Sequence, residues 1–84
     1  MTRPHKTLEK ILAGRSDSSV AFRDLRHLLL TLGFEERVQG GHYIYTREGM
    51  VEIINLQPRG TLAKPYQVKQ VRRLILEHGL GDVL

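Results

Sequence analysis

The spacing of hydrophobic residues changes twice along this chain of 84 residues, from helical to alternating and back to helical. In the first part, five hydrophobic residues recur every three or four positions, at Phe22, Leu25, Leu28, Leu29 and Leu32. This spacing indicates a helix with one apolar face. Gly33 follows directly and suits a helix end, because glycine readily adopts the left-handed conformation found there. A second layer of structure must cover the apolar face.

The middle of the chain is typical of short antiparallel strands. Residues 34–39 and the aromatic, β-branched run at residues 42–46 are separated only by Gly40-Gly41, which suits a tight turn. A second turn at residues 47–49 leads into a third predicted strand at residues 50–56. Residues 57–60 then interrupt the predicted sheet.

Predicted helices flank these strands. An N-terminal helix ends near Gly14, and a final helix begins at Pro65 and ends before Gly79. The order predicts an α+β fold of two layers, in which a three-stranded antiparallel sheet is covered on one face by two helices. An extra N-terminal helix and loop, at residues 1–19, precede this α-β-β-β-α core. We expect residues 1–84 to form a single domain, because two separate cores of this size could not fold.

The composition excludes several kinds of chemistry. The chain has no cysteine, so disulfides, thiol catalysis and zinc–thiolate sites are excluded. No hydrophobic run is longer than three residues, as in Leu28-Leu29-Leu30, which is far too short to cross a bilayer. The basic N-terminus lacks the hydrophobic stretch of a signal peptide. We therefore expect a cytoplasmic protein with no membrane partner.

The net charge is +4, and the segment 57–84 carries three of these positive charges. No acidic residue occurs between residues 57 and 76, and such a basic surface favours a polyanionic partner. A solvated basic face is the alternative interpretation. The candidate nucleic-acid contacts lie on or just before the final helix and are Lys64, Tyr66, Lys69, Arg72 and Arg73. Tyr66 either stacks on a base or packs on the sheet.

His42 is the candidate catalytic residue among four histidines. Gly40 and Gly41 leave room for a substrate to approach, and the strand that follows holds the imidazole on a rigid element. An ordinary histidine at a strand edge is the alternative interpretation. The other three histidines are expected to be structural, and no paired ligand motif indicates a metal or cofactor site.

Three stretches of the sequence resemble the HicA family of toxin–antitoxin ribonucleases. They read LLTLGFE at residues 29–35 followed by GGH at residues 40–42, VEIINLQP at residues 51–58, and KPYQVKQVR at residues 64–72. The similarity covers roughly residues 20–80. It is closest to the branch whose members carry an additional N-terminal segment.

The resemblance implies a double-stranded RNA-binding-domain-like fold and metal-independent cleavage of messenger RNA. It also implies a partner, a cognate HicB-like antitoxin. The catalytic histidine of the family corresponds to His42. Gly41 stands where the family usually has serine, and Tyr43 where many members have a second histidine.

A mechanism follows from these expectations. His42 would act as a general base on a ribose 2′-hydroxyl, and Lys64, Lys69, Arg72 or Arg73 would stabilise the charge on the phosphate. Two other function classes stay open, a non-catalytic RNA-binding module of the same fold and a protein that only docks an acidic partner. Residues 1–19 either brace the core or only precede it.

Overall fold

Three α-helices form one layer of the computed structural model, which describes residues 2–84. They are α1 (Arg3–Ala13), α2 (Phe22–Thr31) and α3 (Pro65–Glu77). The predicted helix ends are confirmed, since Gly14, Gly33 and Gly79 all have the positive φ angles that glycine tolerates best. No helix among residues 2–84 has the length and hydropathy needed to span a bilayer.

The second layer is the predicted three-stranded antiparallel sheet. It consists of β1 (Glu35–Gln39), β2 (His42–Thr46) and β3 (Ile54–Leu56), in that spatial order. The fold class is therefore confirmed as α+β. The two-residue turn at Gly40 and Gly41 sets the register, in which Gln39 pairs with His42.

The third strand is shorter than the predicted span of residues 50–56. Pairing Glu52 with β2 would place its carboxylate on the same face as Ile54 and Leu56, which are both buried. Instead, the Glu52 carboxylate lies 3.1 Å from Nε2 of His78. Val51, three residues before β3 begins at Ile54, is 94% exposed.

A short hairpin replaces the predicted interruption at residues 57–60. Strands β4 (Pro58–Arg59) and β5 (Leu62–Ala63) pair with each other, and Gly60 turns between them with φ of 61°. The main-chain nitrogens of Phe22 and Ala63 donate to the carbonyls of Thr61 and Val20, each at 2.9 Å. These bonds fasten the hairpin to the start of α2.

The hydrophobic core lies between the helices and one face of the sheet. Its sheet side is formed by Tyr45, Ile54 and Leu56, which are completely buried. Leu8 and Ile11 of α1 belong to the same core, so the N-terminal helix is part of the folded unit. Leu30 and Leu76 lie on the outer sides of α2 and α3 and are exposed.

An ion-pair cluster joins α2 to the sheet. Arg26 donates two hydrogen bonds to the Glu36 carboxylate, at 2.8 and 2.7 Å, and the Tyr45 hydroxyl donates a third at 2.6 Å. The bonds from Arg26 lower the pKa of the Glu36 carboxyl, whereas burial raises the pKa of Tyr45. The cluster thus holds a carboxylate and a neutral phenol together at the edge of the core.

Candidate active site

His42 is exposed at the start of β2, on the sheet face away from the helices. Side chains of a strand alternate between faces, and Tyr43 and Tyr45 take the face toward the core. The turn before β2 requires Gly40, whose φ of 58° is unfavourable for other residues. Apart from the adjoining residues of the chain, no atom would lie within 4 Å of a Cβ added at Gly40 or Gly41, so the space around this turn is open.

Two side-chain amides hold the imidazole of His42. Its Nδ1 lies 3.1 Å from Oδ1 of Asn55, and its Nε2 lies 3.2 Å from Nε2 of Gln57. An amide oxygen only accepts hydrogen bonds and an amide nitrogen only donates them. Both contacts therefore require the same tautomer, with the proton on Nδ1 and a lone pair on Nε2. A neutral imidazole in this state is a proton acceptor.

Lys64 is the predicted cation that the structure connects to His42. Its ammonium donates to Oε1 of Gln57 at 3.4 Å, and the amide nitrogen of the same side chain reaches the imidazole. The lysine occupies the N-cap position of α3, with its side chain making no capping bond. The amide of Gln57 thus links a positive charge to the proton-accepting nitrogen.

The other predicted RNA contacts lie elsewhere on α3. Tyr66 is 62% exposed, so its ring is available for contact rather than packed against the sheet, and Lys69 is exposed as well. Arg73 pairs with Glu77 one helical turn away. None of the hydrogen bonds formed by these three residues in the described part of the chain reaches His42.

Arg72 makes contacts that stabilise the fold. Its guanidinium forms two hydrogen bonds with the Asp17 carboxylate, at 2.9 and 3.1 Å, and a third with the carbonyl of Ile11. The pKa of Asp17 is lowered, mainly by these bonds from Arg72. The residue therefore ties α3 to α1 and the loop after it, and it does not join the cluster around His42.

Asn55 and Gln57 are the site residues that sequence reasoning missed. Both occupy outward positions next to the buried Ile54 and Leu56, so their alternation was a signal of exposed polar side chains. Their closeness to His42 depends on β2 and β3 being neighbours, with Tyr43 opposite Leu56. The resemblance contains both residues but does not assign them a role.

Tyr43 stands where many HicA proteins have a second histidine. Its side chain lies on the face of the sheet opposite to that of His42. Its ring meets the edge of Phe22 with centroids 4.9 Å apart, and the guanidinium of Arg26 lies 4.9 Å from the ring centroid. These contacts make it a packing residue. A histidine at this position of the strand would point away from the imidazole of His42.

A second group of ionisable side chains lies at the other end of α3. Glu52, Glu77 and His78 bring their potential ligand atoms within 4.8 Å of one another. Glu77 is already paired with Arg73 and Glu52 with His78. The pKa of Glu52 is lowered, chiefly by its own main-chain hydrogen bond. These side chains therefore already have hydrogen-bonding partners on an exposed surface.

Comparisons with protein-family models, with curated proteins and with solved structures found no match to this chain. The geometry around His42 and the resemblance of residues 20–80 to HicA proteins are therefore the grounds for a functional proposal.

Proposed function

We propose that this protein is a HicA-like endoribonuclease, which cleaves messenger RNA without a metal ion and is neutralised by a HicB-like antitoxin. The observation that carries the proposal is the placement of the His42 imidazole between Oδ1 of Asn55 and Nε2 of Gln57, with Lys64 connected to it through Gln57. Apart from the hairpin of β4 and β5 before α3, the order of α2, β1, β2, β3 and α3 is also the order of the double-stranded RNA-binding-domain-like fold, which we propose for residues 20–80.

The first chemical step is proton transfer from a ribose 2′-hydroxyl to Nε2 of His42. The amide of Gln57 donates a hydrogen bond to this lone pair. When RNA binds, a 2′-hydroxyl takes the place of the amide and donates to Nε2 instead. The 2′-oxygen then bonds to the adjacent phosphorus, and the bond from phosphorus to the 5′-oxygen breaks. The products are a 2′,3′-cyclic phosphate and a 5′-hydroxyl, with the 5′-oxygen taking up one proton.

Asn55 and Lys64 have separate roles in this step. Oδ1 of Asn55 accepts a hydrogen bond from Nδ1–H and so stabilises the tautomer that can act as a base. Lys64 offers a positive charge to the phosphate, which gathers negative charge as the fifth bond forms. Tyr66 and Lys69, exposed on the same helix, supply contacts to a base and to the RNA backbone.

Lys64→Met is expected to lower the cleavage rate at saturating RNA by about 100-fold, because one donor to the developing charge is lost. The N-cap role of Lys64 uses only its main chain, so α3 should stay folded. Single-turnover kinetics measure the effect.

Lys69→Met is the matched control for this variant. Its main expected effect is on binding: RNA affinity should fall, and the slope of log affinity against log salt concentration should decrease by about one. Equal loss of rate at saturating RNA in both variants would contradict the role of Lys64.

The proposed function is tested by incubating the purified protein with end-labelled RNA in EDTA and mapping the new ends. Cyclic phosphate and 5′-hydroxyl ends are expected. Intact RNA that is bound with a steep salt dependence would instead support the alternative, a non-catalytic RNA-binding module of the same fold. Absence of both binding and cleavage would favour a protein that only docks an acidic partner.

A further inference from the structure

Gln67 is a polar residue on the buried face of α3. It is 2% exposed and shares this face with Val68 and Val71. Burying an amide is costly unless both its donor and its acceptor form hydrogen bonds. Among the described residues, only Thr7 is a comparably buried polar side chain.

Both polar atoms of this amide bind the main chain of one residue, Gln57. With the amide of Gln67 oriented so that each of its polar atoms faces a complementary group, Nε2 donates to the carbonyl of Gln57 at 3.1 Å and Oε1 accepts from its N–H at 3.0 Å. These are the two bonds that a neighbouring strand would make to a residue of a sheet. Gln57 lies between β3 and β4, where the chain passes from the sheet to the hairpin. Gln67 therefore fixes the main chain at this junction.

The same turn of α3 also carries Lys64. The carbonyl of Lys64 accepts from the main-chain nitrogens of Gln67 and Val68, at 2.9 and 3.1 Å. The side chain of Gln67 thus holds the Gln57 main chain against the helix turn on which Lys64 is mounted. The side chain of Gln57 spans the remaining gap between Lys64 and His42.

We propose that Gln67 is a positioning residue that sets the reach of the Gln57 amide toward both His42 and Lys64. The catalytic part of this inference rests on the proposed ribonuclease function. A shift of the Gln57 main chain changes where its amide holds the Lys64 ammonium beside His42, and small misplacements in an active site reduce rate strongly. Gln67 touches neither the imidazole nor the substrate, so its effect passes entirely through Gln57.

Gln67→Met tests the proposal, because methionine keeps the length of the side chain and removes both hydrogen bonds. The cleavage rate at saturating RNA should fall about 10- to 100-fold with little change in KM. In a Gln57→Ala background the same substitution should have no further effect, because the group that it positions is absent. If Gln67→Met lowered the rate as much in the Gln57→Ala background as in the wild type, the proposal would be overturned.

A second measurement needs no RNA. The ¹⁵N chemical shifts of the His42 ring distinguish a protonated nitrogen from one with a lone pair. The wild type should show one tautomer, with the proton on Nδ1, and Gln67→Met should show a mixture. Should wild type fail to cleave RNA, the proposed function falls while these shifts still decide the positioning role.

Two controls separate positioning from stability. Leu8→Ala destabilises the same core from α1 and should leave the ring shifts and the turnover of the folded protein unchanged. Gln67→Asn retains an amide that is too short to bind both main-chain atoms, and it takes the place of Gln67→Met if the latter does not fold. A folded Gln67 variant with wild-type shifts and turnover would refute the proposal.

Discussion

His42→Ala is expected to lower the rate of RNA cleavage by about 10²- to 10⁴-fold, the usual contribution of a general base. The substitution removes the only group in the cluster of His42, Asn55, Gln57 and Lys64 that is basic enough to take a proton from a ribose hydroxyl. Asn55, Gln57 and Lys64 supply amides and an ammonium, none of which can accept that proton at neutral pH. The loss should lie in the chemical step, so it is measured in single turnovers with EDTA present. RNA binding should change little.

His27→Ala is the matched control, since both histidines are exposed and His27 lies on α2 outside the cluster. It should cleave RNA at the wild-type rate. Expression of wild type without an antitoxin should arrest growth, and His42→Ala alone should relieve the arrest. Wild-type cleavage by folded His42→Ala would show that another group accepts the proton.

The helices could be predicted from the sequence because their signals are local. The apolar stripe of α2 and the glycine after it fall within a dozen residues, and Pro65 marks the start of α3 as expected. The third strand was predicted less well, since its length depends on whether Glu52 could be accommodated on a buried face. That condition is set by the partner strand and not by the alternation of residues.

The residues of the candidate site were likewise predictable only where their signals are local in the sequence. His42 could be selected from its own neighbours in the sequence, two glycines and a strand. Asn55 and Gln57 could not, because they reach the imidazole only through the pairing of β2 with β3. Arg72 was selected as a candidate RNA contact because a helical wheel places it on the outer face of the helix. The wheel does not show its partner, which is Asp17.

Glu36→Gln is expected to lower the free energy of unfolding at neutral pH by about 2–3 kcal/mol, because charged hydrogen bonds to Arg26 are lost. The partial exposure of Arg26 keeps the effect below that of a fully buried pair. The folded-state pKa of Glu36 is lowered, so its stabilisation is complete above the ordinary value of 4.5. It is lost as the pH falls through the folded-state pKa. Urea titrations between pH 7 and pH 2 measure this trend.

Glu35→Gln is the matched control, because Glu35 is the preceding residue of β1 and lies exposed on the opposite face. Its effect should stay within about 0.5 kcal/mol at neutral pH. The difference between wild type and Glu36→Gln should shrink toward the acid end of the series, because protonation gives the wild type a neutral side chain as well. A difference of constant size down to pH 2 would mean that the shape of the carboxyl group, and not its charge, holds α2 to the sheet.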